Sequence, residues 1–227
     1  MRTFAIGDIH GCSHAFDLLL AAIELQPDDL LITLGDYVDR GPDSKGVLDR
    51  LIALQSTACL VALRGNHEVM MLEAREDVTR ALQWARVGGI ETLESYGALG
   101  INNLLQDVPA AHWKFMEETC VPYYETDTHF FVHANAYYDM PLAEQPEEML
   151  YWQTFGRGAA HVSGKTMICG HTSQKSGLPV NYGHSICLDT WAYGNGWLTC
   201  LDVMTGQLWR ANQEGQQRQA HLDDFLQ

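Results

Sequence analysis

The chain has 227 residues, 46% of them hydrophobic and 19% charged, a composition that can bury a core and excludes a disordered chain. Its 14 Lys and Arg stand against 29 Asp and Glu, a formal charge of -15 at pH 7. Such a field repels nucleic acid and anionic membrane surfaces, so neither is expected as a partner, and any anionic substrate must be met by bound cations or a few placed arginines.

Taken in chain order, Phe4-Ala5-Ile6 reads as a buried strand stopping at Gly7, and Ser13 is positioned to cap a helix carrying Phe16, Leu19, Leu20 and Ile23. Leu30 to Leu34 is a second strand, followed after a Gly-Pro turn by a helix from about Ser44 to Gln55. Cys59 to Leu63 is a third, ahead of a helical run through Leu72. Strand, polar loop and helix repeated three times predict a mostly parallel sheet with the active groups at the carboxyl ends of its strands. From about 77 to 119 the pattern is a helical insert, with Leu82, Trp84, Leu93, Phe115 and Met116 as packing residues and Gly88-Gly89, Gly97, Gly100 and Pro109 as breaks. Short strands follow at His129 to Val132, Lys165 to Cys169, Ser185 to Leu188, Trp197 to Val203 and Gln207 to Arg210, which predict a second, largely antiparallel sheet. The absence of a repeat or linker favours one domain over 1–227, and the Gln-rich stretch after Ala211 is expected to fray.

The six cysteines, at 12, 59, 120, 169, 187 and 200, form no close pair with metal or redox spacing and most lie in apolar runs, so buried thiols are expected. The amino terminus lacks a long apolar h-region and no segment has the unbroken apolar length of a membrane span. A cytoplasmic protein is therefore expected.

Five polar motifs stand at the ends of apolar segments: Asp8-Ile9-His10, Gly35-Asp36-Tyr37-Val38-Asp39-Arg40-Gly41, Arg64-Gly65-Asn66-His67-Glu68, His133 and Gly170-His171-Thr172. Alternate residues of a strand share a face, so an Asp and a His two positions apart can converge on one ion. Singly, each motif is better explained as structural; together they specify a metal site. Mixed carboxylate and imidazole donors suit manganese, iron or zinc.

In the order and spacing of these motifs, from about Phe4 to Asp189, the chain resembles the phosphoprotein phosphatase branch of the metallophosphoesterases, and within it the bacterial and phage lambda-type enzymes. The resemblance implies an α/β fold of two packed sheets, a β-sandwich flanked by helices, with a dinuclear metal centre at one end. It implies one ion held by Asp8, His10 and Asp36 and a second by Asp36, Asn66, His133 and His171, manganese being the expected metal. It further implies a bridging hydroxide attacking phosphorus directly, His67 as the general acid oriented by Asp39, and Arg40 and Arg64 gripping phosphate oxygens. The expected substrate is a phosphorylated protein or peptide bearing phosphoserine, phosphothreonine or phosphotyrosine.

Relatives commonly bring a further arginine after a Trp-containing apolar stretch. Here that position is Thr154, with Arg157 three residues on as the candidate replacement. Ser173 stands where the nuclease and phosphodiesterase branches carry the last His of a Gly-His-x-His motif, which disfavours those branches. The symmetrical dinucleoside tetraphosphate hydrolases share the Gly-Asp-x-His-Gly-Cys opening but usually have Ala at the Asp39 position; Asp39, Arg64 and Glu68 favour the protein phosphatases. A third reading, a binding protein of this fold without catalysis, is disfavoured because no expected ligand or acid is missing.

Overall fold

The computed structural model describes residues 2–98 and 107–227. The first three strands, β1 (Thr3–Ile6), β2 (Leu30–Thr33) and β3 (Cys59–Ala62), pair in parallel in the order β1-β2-β3. They alternate with α1 (Ser13–Ile23), α2 (Ser44–Leu54) and α3 (Asn66–Glu76). Each strand is only four residues long, so the chain leaves the sheet just where the polar motifs begin. Helix α1 begins at Ser13, but Cys12 occupies the cap position without a side-chain hydrogen bond, so the expected Ser13 cap is not formed.

Two strand expectations are corrected. The carboxyl-terminal strands β9 (Leu198–Asp202), β10 (Gln207–Ala211) and β11 (Gln217–His221) do not extend a second sheet; β9 pairs antiparallel with β1, and β10 and β11 follow as an antiparallel meander, giving the six-stranded order β11-β10-β9-β1-β2-β3. The Gln-rich end is therefore an edge strand, because backbone pairing with β10 does not depend on apolar side chains. The second sheet, β4 (Tyr123–Glu125), β5 (His129–Val132), β6 (Thr166–Cys169), β7 (Val180–Asn181) and β8 (Ser185–Cys187), is mixed, with β5, β6 and β8 parallel. Long connections allow β5, β6 and β8 to run the same way, which spacing alone does not reveal.

Ala5, Ile32, Phe131, Ile168 and Ile186 meet between the sheets, while Phe4, Phe16, Leu31 and Leu51 bury the first sheet under its helices. In the insert, Trp84, Leu93, Phe115 and Met116 are buried as expected, but Leu82 is 52% exposed. Ala81 and Trp84, three apart, define the inward face of that helix and leave Leu82 off it. Gly88, with φ 125°, breaks the helical run; Gly100 lies outside the described residues. All six thiols are free, five buried and Cys59 exposed at an edge strand. No helix among the described residues is long and apolar enough to cross a membrane.

Candidate metal centre

The five motifs converge. Asp8 and His10 follow β1, Asp36 follows β2, Asn66 and His67 open α3 after β3, His133 follows β5 and His171 follows β6. Asp36 lies between two sets of donors: His10 Nε2 is 3.4 Å from its Oδ2, and His133 Nε2 is 3.4 Å from its Oδ1. Asn66 Oδ1 lies 3.0 Å from both His133 Nε2 and His171 Nδ1. Asp36, His133 and His171 thus form one ligand-competent group, and Asp36, His10 and His67 another.

The histidine partners fix what these contacts mean. His10 Nδ1 lies 2.8 Å from Val38 O, His133 Nδ1 2.8 Å from Leu34 O and His171 Nε2 3.1 Å from Trp152 O. A carbonyl only accepts, so each ring spends its N–H there and turns a lone pair inward. At His133 and His171 those lone pairs face carboxylate and amide oxygens. Acceptors against acceptors at 3.0 to 3.4 Å are an arrangement that a cation between them would satisfy. Burial holds His10 and His133 below the ordinary histidine range and, together with His133, lowers His171 to about 4, which favours the neutral rings with a free lone pair.

Asp8 supplies a second sign of fit. Its Oδ2 accepts the His171 amide at 2.9 Å, while its buried Oδ1 has no partner. Burial, then Asp189 and Asp36, push its pKa well above the carboxylate range, the situation a divalent ion reverses. Asp8 falls outside the tight His10, Asp36 and His67 group, so the structure brings His67 nearer to that cluster than the resemblance implies. The backbone is cleared for this packing: a Cβ on Gly65 would meet Asp36 Oδ1 at 2.1 Å, and one on Gly170 would meet Asp8 Oδ1 at 1.9 Å.

His67 differs from the other three. Its Nδ1 lies 2.6 Å from Asp39 Oδ2 and its Nε2 4.0 Å from Asp36 Oδ2. Burial alone would lower its pKa, but Asp36 and Asp39 outweigh it and raise it. The Asp39 contact fixes the direction of the ring, and both carboxylates favour its charged form.

The arginines divide. Arg40 reaches the site, with Nη1 3.0 Å from His10 Nε2 and its guanidinium 4.7 Å over the Tyr193 ring. Arg64 does not: Nε donates to Met116 O at 3.0 Å and Nη2 to Glu117 O at 2.7 Å and Cys120 O at 3.4 Å. The turn that ends the helical insert satisfies its carbonyls with this side chain, a position the motif spacing did not anticipate. Arg157 is also elsewhere, 5.7 Å over Tyr182, and Thr154 is an exposed residue whose carbonyl accepts from Asn135.

Sequence reasoning missed Asp189 and the structural role of Glu68. Asp189 is buried and accepts from Ser173 Oγ at 2.6 Å and Trp191 N at 3.1 Å; it follows β8 as Asp36 follows β2, so the strand-end rule could have found it. Glu68 accepts from the amides of Asp36, Tyr37, Val38 and Gly65 at 2.7 to 3.3 Å and so ties the two central motifs together. Five site residues hold positive φ without being glycine: His10 at 45°, Asp36 at 50°, Asp39 at 75°, Arg40 at 68° and His171 at 63°.

The family model for calcineurin-like phosphoesterases matches residues 1–175. Serine/threonine-protein phosphatase 1 of Salmonella typhimurium is 42% identical over 89 residues, 39% of this chain and 39% of that protein. A symmetrical bis(5'-nucleosyl)-tetraphosphatase of Acidovorax is 42% identical over 91 residues, 40% of this chain and 32% of that protein. The chain thus spans well under half the length of either relative. In structure, a cold-active protein tyrosine phosphatase of Shewanella superposes with a TM-score of 0.65 at 15% identity, covering 96% of this chain and 80% of that one; at that identity the likeness speaks for the fold. Since the matched segment carries every motif from Asp8 to His171, this chain belongs to the calcineurin-like phosphoesterases and is related to their phosphoprotein phosphatases.

Proposed function

We propose that this phosphoesterase is a phosphoprotein phosphatase, hydrolysing phosphoserine and phosphothreonine monoesters. The observation that carries the reading is the 2.6 Å contact between Asp39 Oδ2 and His67 Nδ1. A serine or threonine alkoxide is a poor leaving group and needs a proton as it departs; a nucleotide phosphate leaves readily without one. An oriented, protonated His67 answers the first need.

Asp8, His10 and Asp36 would hold one divalent ion and Asp36, Asn66, His133 and His171 the other, with manganese the first choice and iron or zinc accepted by the same donors. Bound there, the ions supply Lewis acidity, making water acidic and drawing charge from phosphate. Arg40 grips a phosphate oxygen, and its contact with Tyr193 keeps the guanidinium on the site side of the loop. His67 delivers its proton from Nε2 to the leaving oxygen, while Asp39 keeps Nδ1 protonated and the ring fixed.

Hydrolysis of a dinucleoside tetraphosphate is the second reading, favoured by the engagement of Arg64 with backbone carbonyls, which leaves one fewer clamp for a monoester dianion. Phosphopeptides and diadenosine tetraphosphate, compared with manganese supplied to both, test the choice. Higher kcat/KM on phosphopeptides is expected, and a preference for the dinucleotide would overturn the protein phosphatase reading.

A further inference from the structure

A cavity of about 340 Å³ lies on the outer face of the second sheet, with Asn135, two residues after His133, among its lining. Phe130 on β5, Met167 on β6 and Ser185 on β8 line it. Ile168 and Ile186 point into the core between the sheets, so strand alternation sends Met167 and Ser185 the opposite way. The facing wall is the loop after His133, with Tyr137 and Tyr138, 46% and 53% exposed, among its residues.

Two features select the occupant. Among the described residues no Asp, Glu, Lys or Arg lines the cavity, and the two histidines that do are engaged, His161 with Ser163 Oγ and Met140 O and His184 with Gly158 O. A charged group placed there would lose hydration without a counter-ion. Ser185 is 4% exposed and its Oγ has no hydrogen-bond partner, a buried polar atom that calls for one. Aromatic and thioether walls with an unmet hydroxyl suit a flat, uncharged ring bearing a polar edge.

The segment Trp152 to Gly156 joins this cavity to the metal centre. Trp152 O accepts from His171 Nε2 at 3.1 Å and Phe155 N donates to Thr172 Oγ1 at 2.7 Å, while Gln153 and Gly156 line the cavity. Four residues of extended chain span at most about 14 Å. That places the cavity's Gly156 within about 14 Å of Trp152, behind His171, so a substrate bound at the metal centre must extend beyond that distance by about the width of the imidazole ring.

We propose that this cavity is the recognition site for an uncharged aromatic ring with a hydrogen-bonding edge, carried by the leaving portion of the substrate. The role in substrate recognition rests on the phosphoesterase reading above; the ligand class does not. A phenolic side chain near a phosphoresidue and a nucleobase share this chemistry, and the test separates them.

Adenosine and N-acetyl-tyrosinamide, both uncharged, are titrated into the full chain and followed by calorimetry. At least one is expected to bind with a millimolar Kd or tighter, and the tighter names the source. Ala159→Trp, on the exposed side of the cavity, is expected to weaken binding roughly tenfold, and Ser185→Ala about threefold, with Tm and metal content unchanged. In turnover, Ala159→Trp raises KM for a ring-bearing substrate, a tyrosine-containing phosphopeptide or diadenosine tetraphosphate, and leaves β-glycerophosphate unaffected. If neither probe binds the wild type, or both bind the two variants as tightly, the site is overturned. Rings that bind with no change of KM in the variants overturn the recognition role. Rings that bind a chain inactive on every phosphate ester sink the phosphatase reading and leave the ligand class standing.

Discussion

Trp84 Nε1 donates to both carboxylate oxygens of Asp39, at 3.0 and 2.8 Å. Thr92 Oγ1 donates to Oδ1 of the same carboxylate at 2.7 Å, so two residues of the helical insert hold the group that orients His67. Asp39 has no freedom to turn away, and through it the insert holds His67 in place at the candidate site.

Replacing His67 with Asn is expected to lower kcat on alkyl phosphates by roughly 10²- to 10⁴-fold, with a much smaller loss on an aryl phosphate whose leaving group needs no proton. Asp39→Asn should follow the same split less steeply. Metal analysis completes the measurement: if His67→Asn also lost an ion, His67 would belong to the ligand set with His10 and Asp36.

Asp36→Asn should remove both ions, because this carboxylate stands 3.4 Å from His10 on one side and 3.4 Å from His133 on the other. Elemental analysis after dialysis reads the content directly, and the rise in Tm on adding manganese should vanish with it. Two ions retained per chain would show that Asp36 does not bridge the sets.

For Arg64 the expectation is stability rather than chemistry. Arg64→Ala leaves the carbonyls of Met116, Glu117 and Cys120 without this donor and should cost roughly 1–2 kcal/mol in denaturant unfolding. Its KM for a phosphopeptide should stay within about threefold, whereas Arg40→Ala raises KM at least tenfold by losing the charged contact. A large KM effect of Arg64→Ala at unchanged stability would restore Arg64 to the phosphate.

Asp29 accepts from Arg2 N, Arg2 Nε and Gln26 N at 2.9 to 3.1 Å and pairs with the Arg2 guanidinium. The Arg2 hydrogen bond comes first among the causes that hold its carboxyl down to about 2, against 3.8 for the free group. A lowered pKa stabilises the fold above the unfolded value, and that contribution is lost as pH falls through the folded one. The Tm gap between wild type and Asp29→Asn should therefore be constant above about pH 5 and close toward pH 2. A gap that persists at pH 2 would mean the carboxylate charge is not its source.

The convergence of the candidate donors was legible because the strands are short: with four residues in β1 and β2, Asp8 and Asp36 must stand where the sheet ends, and alternation carries His10 to the same place. The fold class was legible for the same reason. What was not legible depended on contacts remote in sequence. β9 pairs with β1 across nearly the whole chain, a choice that no local pattern records. Arg64 sits in the motif, yet its direction is set by carbonyls some fifty residues on. Asp189 went unread because its partner Ser173 was taken only as a missing histidine, when its hydroxyl is the group that holds Asp189 in place.

The five left-handed backbones at His10, Asp36, Asp39, Arg40 and His171 also bear on how this protein could be engineered. Left-handed geometry costs a residue with a side chain roughly 1–2 kcal/mol relative to glycine. A redesign scored on backbone geometry alone would therefore favour glycine at these positions and delete the side chains that form the candidate site. A library that masks these five positions and explores the remainder avoids that failure.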